Sequence, residues 1–151
     1  MYQKVLVPLD GSELAECALN HVKAMVKDGL AGETVLLNII RVDAPWSELY
    51  GQHFDLNALR EAYFAAAGKY LAGVAERLGT DGIPAKTDVV EANGPASAIT
   101  DYANEKGMDL IVIATHGYTG MKKLMLGSVA QGILHESHVP VLLIRPETCR
   151  V

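Results

Sequence analysis

The sequence predicts a doubly wound α/β fold, a single three-layer domain over 1–151 with a five-stranded parallel sheet between two layers of helices. Three observations carry that expectation. Short apolar runs of strand length alternate with longer stretches of helical periodicity. The alternation reads β-α-β-α-β-α-β-α-β, the order that buries a parallel sheet under helices on both faces. The 151 residues are 50% hydrophobic, enough for one core and too few for two ordinary domains.

Each element has its own signal. Val5-Leu6-Val7 is short, partly β-branched and stopped by Pro8, as a buried strand is. Asp10-Gly11-Ser12 predicts a turn. Ser12 can cap a helix that carries Glu13 and Glu16 in its first turn. Ala15, Leu19, Val22 and Val26 mark that helix's buried face, and Asp28-Gly29 and Gly32 end it. Residues 34–40 are almost wholly apolar, which fits a strand covered on both faces. From Asp43 to about Asp55, Pro45, Gly51 and three aromatic residues predict a long loop of the kind that often carries function. Trp46, Tyr50 and Phe54 have two readings, a lid or partner surface and simple anchors for the loop.

Leu56 to Leu78 is helical and rich in Ala, Leu, Glu, Lys and Arg; Gly79, Gly82 and Pro84 break it. Thr87 to Glu91 predicts a third strand. Asn93-Gly94-Pro95 opens a helix, with proline suited to its first turn, and Lys106-Gly107 closes it. Leu110 to Ala114 is the fourth strand. A loop from Thr115 to Leu126 follows, then a helix from about Gly127 to Ser137 and a last strand from Val139 to Ile144. Pro140 inside that strand predicts an edge position or a bulge. An apolar edge is also a ready surface for a second chain.

Composition excludes several classes of function. A net charge of −5 argues against a general affinity for nucleic acid or anionic membranes. No apolar run approaches the roughly 20 residues of a membrane helix. Met1 to Pro8 lacks the apolar stretch and cleavage site of a signal peptide. Cys17 and Cys149 have neither metal nor redox spacing. Neither a disulfide framework nor a zinc site is therefore expected, and a cytoplasmic location is. Cys17 reads as a packing residue and Cys149 as an exposed one.

In a doubly wound sheet, ligands bind beyond the carboxyl ends of strands, where the strand order reverses. The segment from Ala114 to Val129 is the strongest candidate, since it runs from a strand end to a helix start. Gly117 and Gly127 allow backbone to approach a bulky ligand. The amides of Gly127, Ser128 and Val129 sit at the positive end of a helix, which suits a phosphate, and Ser128 adds a hydroxyl. A plainer reading stays open: Gly117 and Gly120 serve a tight turn and Ser128 only caps the helix. The kinase-type phosphate loop and the Gly-x-Gly-x-x-Gly fingerprint are both absent.

Ala114-Thr115-His116-Gly117, nine residues, then Gly127-Ser128 resembles the nucleotide loop of the universal stress protein family, in its ATP-binding subgroup. The family pattern is Gly, two residues, Gly, nine residues, then Gly-Ser or Gly-Thr; Ala114 stands at the first glycine. Val5 to Ser12 resembles the family's first strand and turn, and Gly94-Pro95 its third-strand ending. Gly127-Ser128-Val129 through Pro140 to Ile144 resembles its closing helix and strand. The likeness thus spans nearly the whole chain.

The resemblance implies a Rossmann-like, adenine nucleotide alpha-hydrolase-like domain that binds ATP, or AMP or ADP, as a regulatory module of the stress response. Asp10, which by itself reads as a turn cap, is then expected to accept hydrogen bonds from ribose hydroxyls. The backbone of Ile39 meets adenine, Pro8 and Leu9 line the base or ribose, and the Ala114 methyl lies beside the ribose. Gly117, Gly127, Ser128 and Val129 hold the phosphates. A magnesium ion is bound through the phosphates and water. No residue is assigned as a catalytic group or a metal ligand.

Other residues stay open. His116 is read either as a phosphate contact or acid–base group, or as a solvent-facing histidine. Lys122 and Lys123 either screen a triphosphate or are simply solvated. His21 reads as structural, and His135 and His138 flank the end of the last helix, where a cation suits the dipole, without metal-site spacing. No general base and no arginine finger is evident, so efficient turnover is not expected. Two alternatives remain: a slow ATPase or autophosphorylating enzyme using His116, Ser128 or Thr119, and a dimeric scaffold that binds no nucleotide. In each case a homodimer through Val139 to Ile144 covers the apolar edge.

Overall fold

The computed structural model describes residues 1–43, 55–115 and 126–146. Five parallel strands form one sheet: β1 (Tyr2–Pro8), β2 (Ala31–Ile40), β3 (Ala85–Glu91), β4 (Leu110–Ala114) and β5 (Val141–Ile144). Their order is β3-β2-β1-β4-β5. The helices are α1 (Glu13–Glu16), α2 (Ala18–Lys27), α3 (Leu56–Thr80), α4 (Pro95–Glu105) and α5 (Ser128–Glu136).

The two-residue period of the strands decides which helices cover which face. Val5 and Val7 of β1, Leu36 of β2, and Leu110 and Val112 of β4 point to one side. There they pack with Leu19 and Val22 of α2 and with Leu71, Val74 and Leu78 of α3. The intervening residues Leu6, Val35, Leu37, Ile111 and Ile113 point the other way, against Ile99 and Ala103 of α4 and Ile133 of α5. The predicted three-layer architecture is the one observed, and the central strands are apolar on both faces because both are covered.

The boundaries differ from the sequence expectation in informative ways. β1 begins at Tyr2 rather than Val5, through polar residues whose amides are satisfied. Tyr2 N–H donates to the Leu30 carbonyl at 2.8 Å, and the amides of Gln3 and Lys4 donate to the Asp109 carboxylate at 2.7 and 2.9 Å. β2 and β3 likewise start earlier, at Ala31 and Ala85, where pairing rather than hydrophobicity defines the strand. The first predicted helix is two, α1 and α2, divided at Cys17. β5 begins after Pro140, not before it. Proline has no N–H for the ladder, but its carbonyl accepts from Ile111 N–H at 2.9 Å. β5 is an edge strand, as that proline suggests.

Cys17 also departs from expectation. It is buried and disulfide-bonded, with its sulfur 4.0 Å from the Pro146 carbonyl oxygen. Cys149 lies outside the described residues. Among those residues, no helix is long and apolar enough to cross a membrane.

α4 and α5 meet closely at small residues. A Cβ placed on Gly132 would lie 2.6 Å from the Ala96 Cβ, well inside contact distance. Gly132→Ala is expected to destabilise the fold by about 1–2 kcal/mol, since overpacking outweighs the gain of roughly 1 kcal/mol in helix propensity. Ala96→Gly in the same chain should recover part of the loss. Urea unfolding of the two variants and the parent checks both statements.

Candidate functional site

The sheet order places β1 and β4 side by side, and the chain leaves them toward opposite edges. A crevice therefore opens beyond their carboxyl ends. A cleft of about 670 Å³, open mouth included, occupies that place. Pro8, Leu9 and Asp10 line it from the end of β1, with Ser12, Leu14 and Ala15 following. Leu37 and Ile39 come from β2, and Ile113 and Ala114 from β4. Pro95 and Ile99 of α4 and Gly127, Val129 and Ala130 at the start of α5 complete it. The lining is mostly apolar, and Asp10 is its one ionisable side chain among the described residues.

Asp10 is held by its own turn. The Ser12 amide and hydroxyl donate to Asp10 Oδ1 at 2.9 and 2.6 Å. Ser12 Oγ in turn accepts from Ala15 N–H at 3.1 Å and caps α1. Gly11 between them has φ +89°, a left-handed conformation that favours glycine. One carboxylate oxygen is therefore fixed, and Oδ2 has no hydrogen bond among the described residues.

The end of β1 is tied to β2 from both sides. Leu9 N–H donates to the Leu37 carbonyl at 2.8 Å, and the buried Asn38 side-chain amide donates to the Leu9 carbonyl at 2.8 Å. In a parallel sheet the N–H and C=O of one residue face the same neighbour, and alternate residues face opposite neighbours. Leu37 faces β1, so Ile39 does too. Ile40 faces β3, where its carbonyl accepts from Ala92 N–H at 2.9 Å. β1 pairing has ended by then, with Pro8 opposite Leu37. The donor and acceptor of Ile39 thus open into the cleft, side by side.

At the opposite side, α5 starts on Gly127, which has φ 84°. The first intrahelical bond is Gln131 N–H to the Gly127 carbonyl at 3.0 Å. The amides of Ser128, Val129 and Ala130 come before it, so they have no partner within the helix. Such an end attracts anions.

The arrangement therefore offers a donor–acceptor pair for the edge of a planar base, a carboxylate oxygen for hydroxyls, and a helix terminus for an anion. A sequence profile of the universal stress protein family matches residues 1–145. The chain belongs to that family. Universal stress protein MJ0577 of Methanocaldococcus jannaschii is 32% identical over 158 residues, covering 96% of each chain. Its solved structure superposes with a TM-score of 0.77, at 33% identity and 96% coverage of each chain. Universal stress protein YxiE of Bacillus subtilis is 33% identical over 96% of this chain and 100% of its own. A universal stress protein from Archaeoglobus fulgidus, solved in complex with dAMP, shares the fold. Its TM-score is 0.61 at 19% identity, covering 95% of this chain and 97% of that one.

Within this universal stress protein, Pro8, Leu9, Asp10, Ile39, Ala114, Gly127 and Val129 of the sequence expectation all lie on the one cleft. Ser128 is exposed at the start of α5 and is not part of its lining. His116, Gly117, Thr119, Lys122 and Lys123 lie outside the described residues, as do Trp46, Tyr50 and Phe54. Sequence reasoning missed Pro95, Ile99 and Leu14 as lining residues and Asn38 as the residue that pins Leu9. A polar residue in an otherwise apolar buried strand was the available signal for Asn38.

β2 carries a second buried polar side chain, Thr34, whose hydroxyl has no hydrogen-bond partner among the described residues. The two should respond oppositely to apolar replacement. Asn38→Leu leaves the Leu9 carbonyl without its side-chain donor and is expected to cost about 1–3 kcal/mol, while Thr34→Val is expected to be neutral or stabilising. Urea denaturation of the two single variants measures the contrast.

Proposed function

We propose that this universal stress protein binds an adenine nucleotide, ATP foremost, and acts as a regulatory module rather than as an efficient enzyme. The observation that carries the reading is the convergence of three unlike recognition groups on one apolar cleft. The Ile39 backbone pair matches the hydrogen-bonding edge of adenine. The free Asp10 oxygen suits the ribose hydroxyls. The amides opening α5 suit the phosphates. The walls of Pro8, Leu9, Pro95 and Ile99 suit the faces of a purine. The nucleotide named for the Archaeoglobus relative is consistent with this reading.

Magnesium would accompany the phosphates. Asp10 is the one carboxylate among the described lining residues, and the ribose role occupies it. Among the described residues no group of three or more His, Cys, Asp or Glu side chains is placed to hold a metal. The ion is therefore proposed to bind through phosphate oxygens and water.

A second copy of the chain is proposed to cover β5, as the sequence also suggests. β5 is an edge strand, and Leu142 on it is 36% exposed. Leu142→Asp is expected to shift a dimer toward monomer, read by analytical ultracentrifugation at matched concentrations.

Isothermal titration of nucleotide-stripped protein with ATP and magnesium tests the main proposal. The parent should saturate. Asp10→Asn keeps an acceptor for Ser12 but replaces the free oxygen with a donor, and should weaken ATP about 10-fold or more. Gly127→Val should abolish binding by straining the start of α5, with circular dichroism confirming that the variant is folded. A folded parent that takes up no ATP would refute the proposal.

A further inference from the structure

Tyr70 of α3 is absent from the cleft lining, yet its hydroxyl is within reach of Gly11 in the turn that presents Asp10. Tyr70, Val74 and Arg77 share one face of α3, at helical spacing. Val74 belongs to the core, and Arg77 makes an ion pair with Glu16 of α1. The same face thus holds α3 against the segment that follows β1. The Tyr70 ring packs on the cluster that contains Leu9. Its hydroxyl is sealed from solvent and has no hydrogen-bond partner among the described residues.

A buried hydroxyl without a partner is uncommon in a folded protein and calls for a physical account. Its surroundings supply one. Burial, then the Glu16 and Asp10 carboxylates, push the phenol up to about 12, against the smaller opposing influence of Arg77 and the Gly11 amide. The group is therefore a neutral O–H at physiological pH. The Gly11 amide is near enough to act on its oxygen, and no hydrogen bond joins the two among the described residues.

We propose that Tyr70 is a positioning residue for the Asp10-Gly11-Ser12 turn, its hydroxyl meeting the Gly11 amide to set the direction in which Asp10 offers its free oxygen. The proposal rests on the nucleotide reading above and deepens it. It makes α3 part of the machinery that reads the sugar, although no atom of α3 lines the cleft. The energetic demand is small. Gly11 already adopts a left-handed conformation, in which its peptide can turn without a side chain to obstruct it. The hydroxyl is also the part of the side chain that packing does not need, since the ring fills the space.

Tyr70→Phe separates the two roles, because it keeps the ring and removes the hydroxyl. Two measurements on the full chain are decisive. The first is amide exchange and the ¹⁵N shift at Gly11 in nucleotide-free protein. Loss of the hydroxyl should speed exchange about five-fold and move the resonance, whereas an unchanged Gly11 signal would overturn the proposal. The second is the ratio of affinities for ATP and 2′-deoxy-ATP. Tyr70→Phe should weaken ATP about five-fold and the deoxy analogue less, so that the ratio narrows. A parent-like ratio would also overturn it. If the parent binds neither nucleotide, the proposed function fails by itself, and the Gly11 measurement still decides what Tyr70 does.

Discussion

Unequal strand lengths govern what this sheet can do. β1 gives up its pairing at Pro8, while its neighbour β2 continues to Ile40. A parallel sheet with flush ends would satisfy its own backbone and present nothing. Here the shorter strand leaves one donor and one acceptor of Ile39 facing open space, and the chain that departs from β1 turns at once to bring Asp10 alongside. Both features depend on the same register, fixed by the Leu9–Leu37 hydrogen bond and the Asn38 side chain. A slip of one residue would turn Ile39 toward β3 and remove the edge altogether.

The helices act through that register. α4 and α5 approach closely enough to exclude a methyl group at Gly132, and their first turns stand at the cleft. α3 is locked to the opposite face by Leu71, Val74 and Leu78. The site thus consists of chain termini of elements that are individually well anchored. That is how such a cleft can be preorganised with Asp10 as the one ionisable side chain among its described lining residues.

Sequence periodicity was sufficient for the architecture, because doubly covered strands such as 34–40 have no other reading and the helices that follow β1 and β3 carry start signals at Ser12 and Pro95. It also located most of the cleft, through the rule that ligands gather at the carboxyl ends where strand order reverses. What it missed depends on long-range contact. Asn38 acquires its role from a carbonyl 29 positions earlier. Pro95 and Ile99 become cleft residues only once α4 lies against the sheet. The break at Cys17 is invisible in the apolar spacing, which continues in phase from Ala15 to Leu19. The early starts of β1, β2 and β3 escaped for a related reason: polar residues there pair through the backbone, and pairing leaves no mark in hydropathy.

All five strands run in one direction, so the domain has two ends of different character. At the amino-terminal end of the sheet the Asp109 carboxylate clips Gln3 and Lys4, and Lys23 pairs with Asp81. None of these residues approaches the cleft. At the other end, Asp10 after β1, Ala114 at the end of β4 and Gly127 before α5 gather on the cleft. The domain thus divides into a foundation and a workbench. Changes at the first should alter how long the protein survives, whereas changes at the second should alter the shape and chemistry of the cleft. A lineage can therefore reshape its cleft without renegotiating the fold.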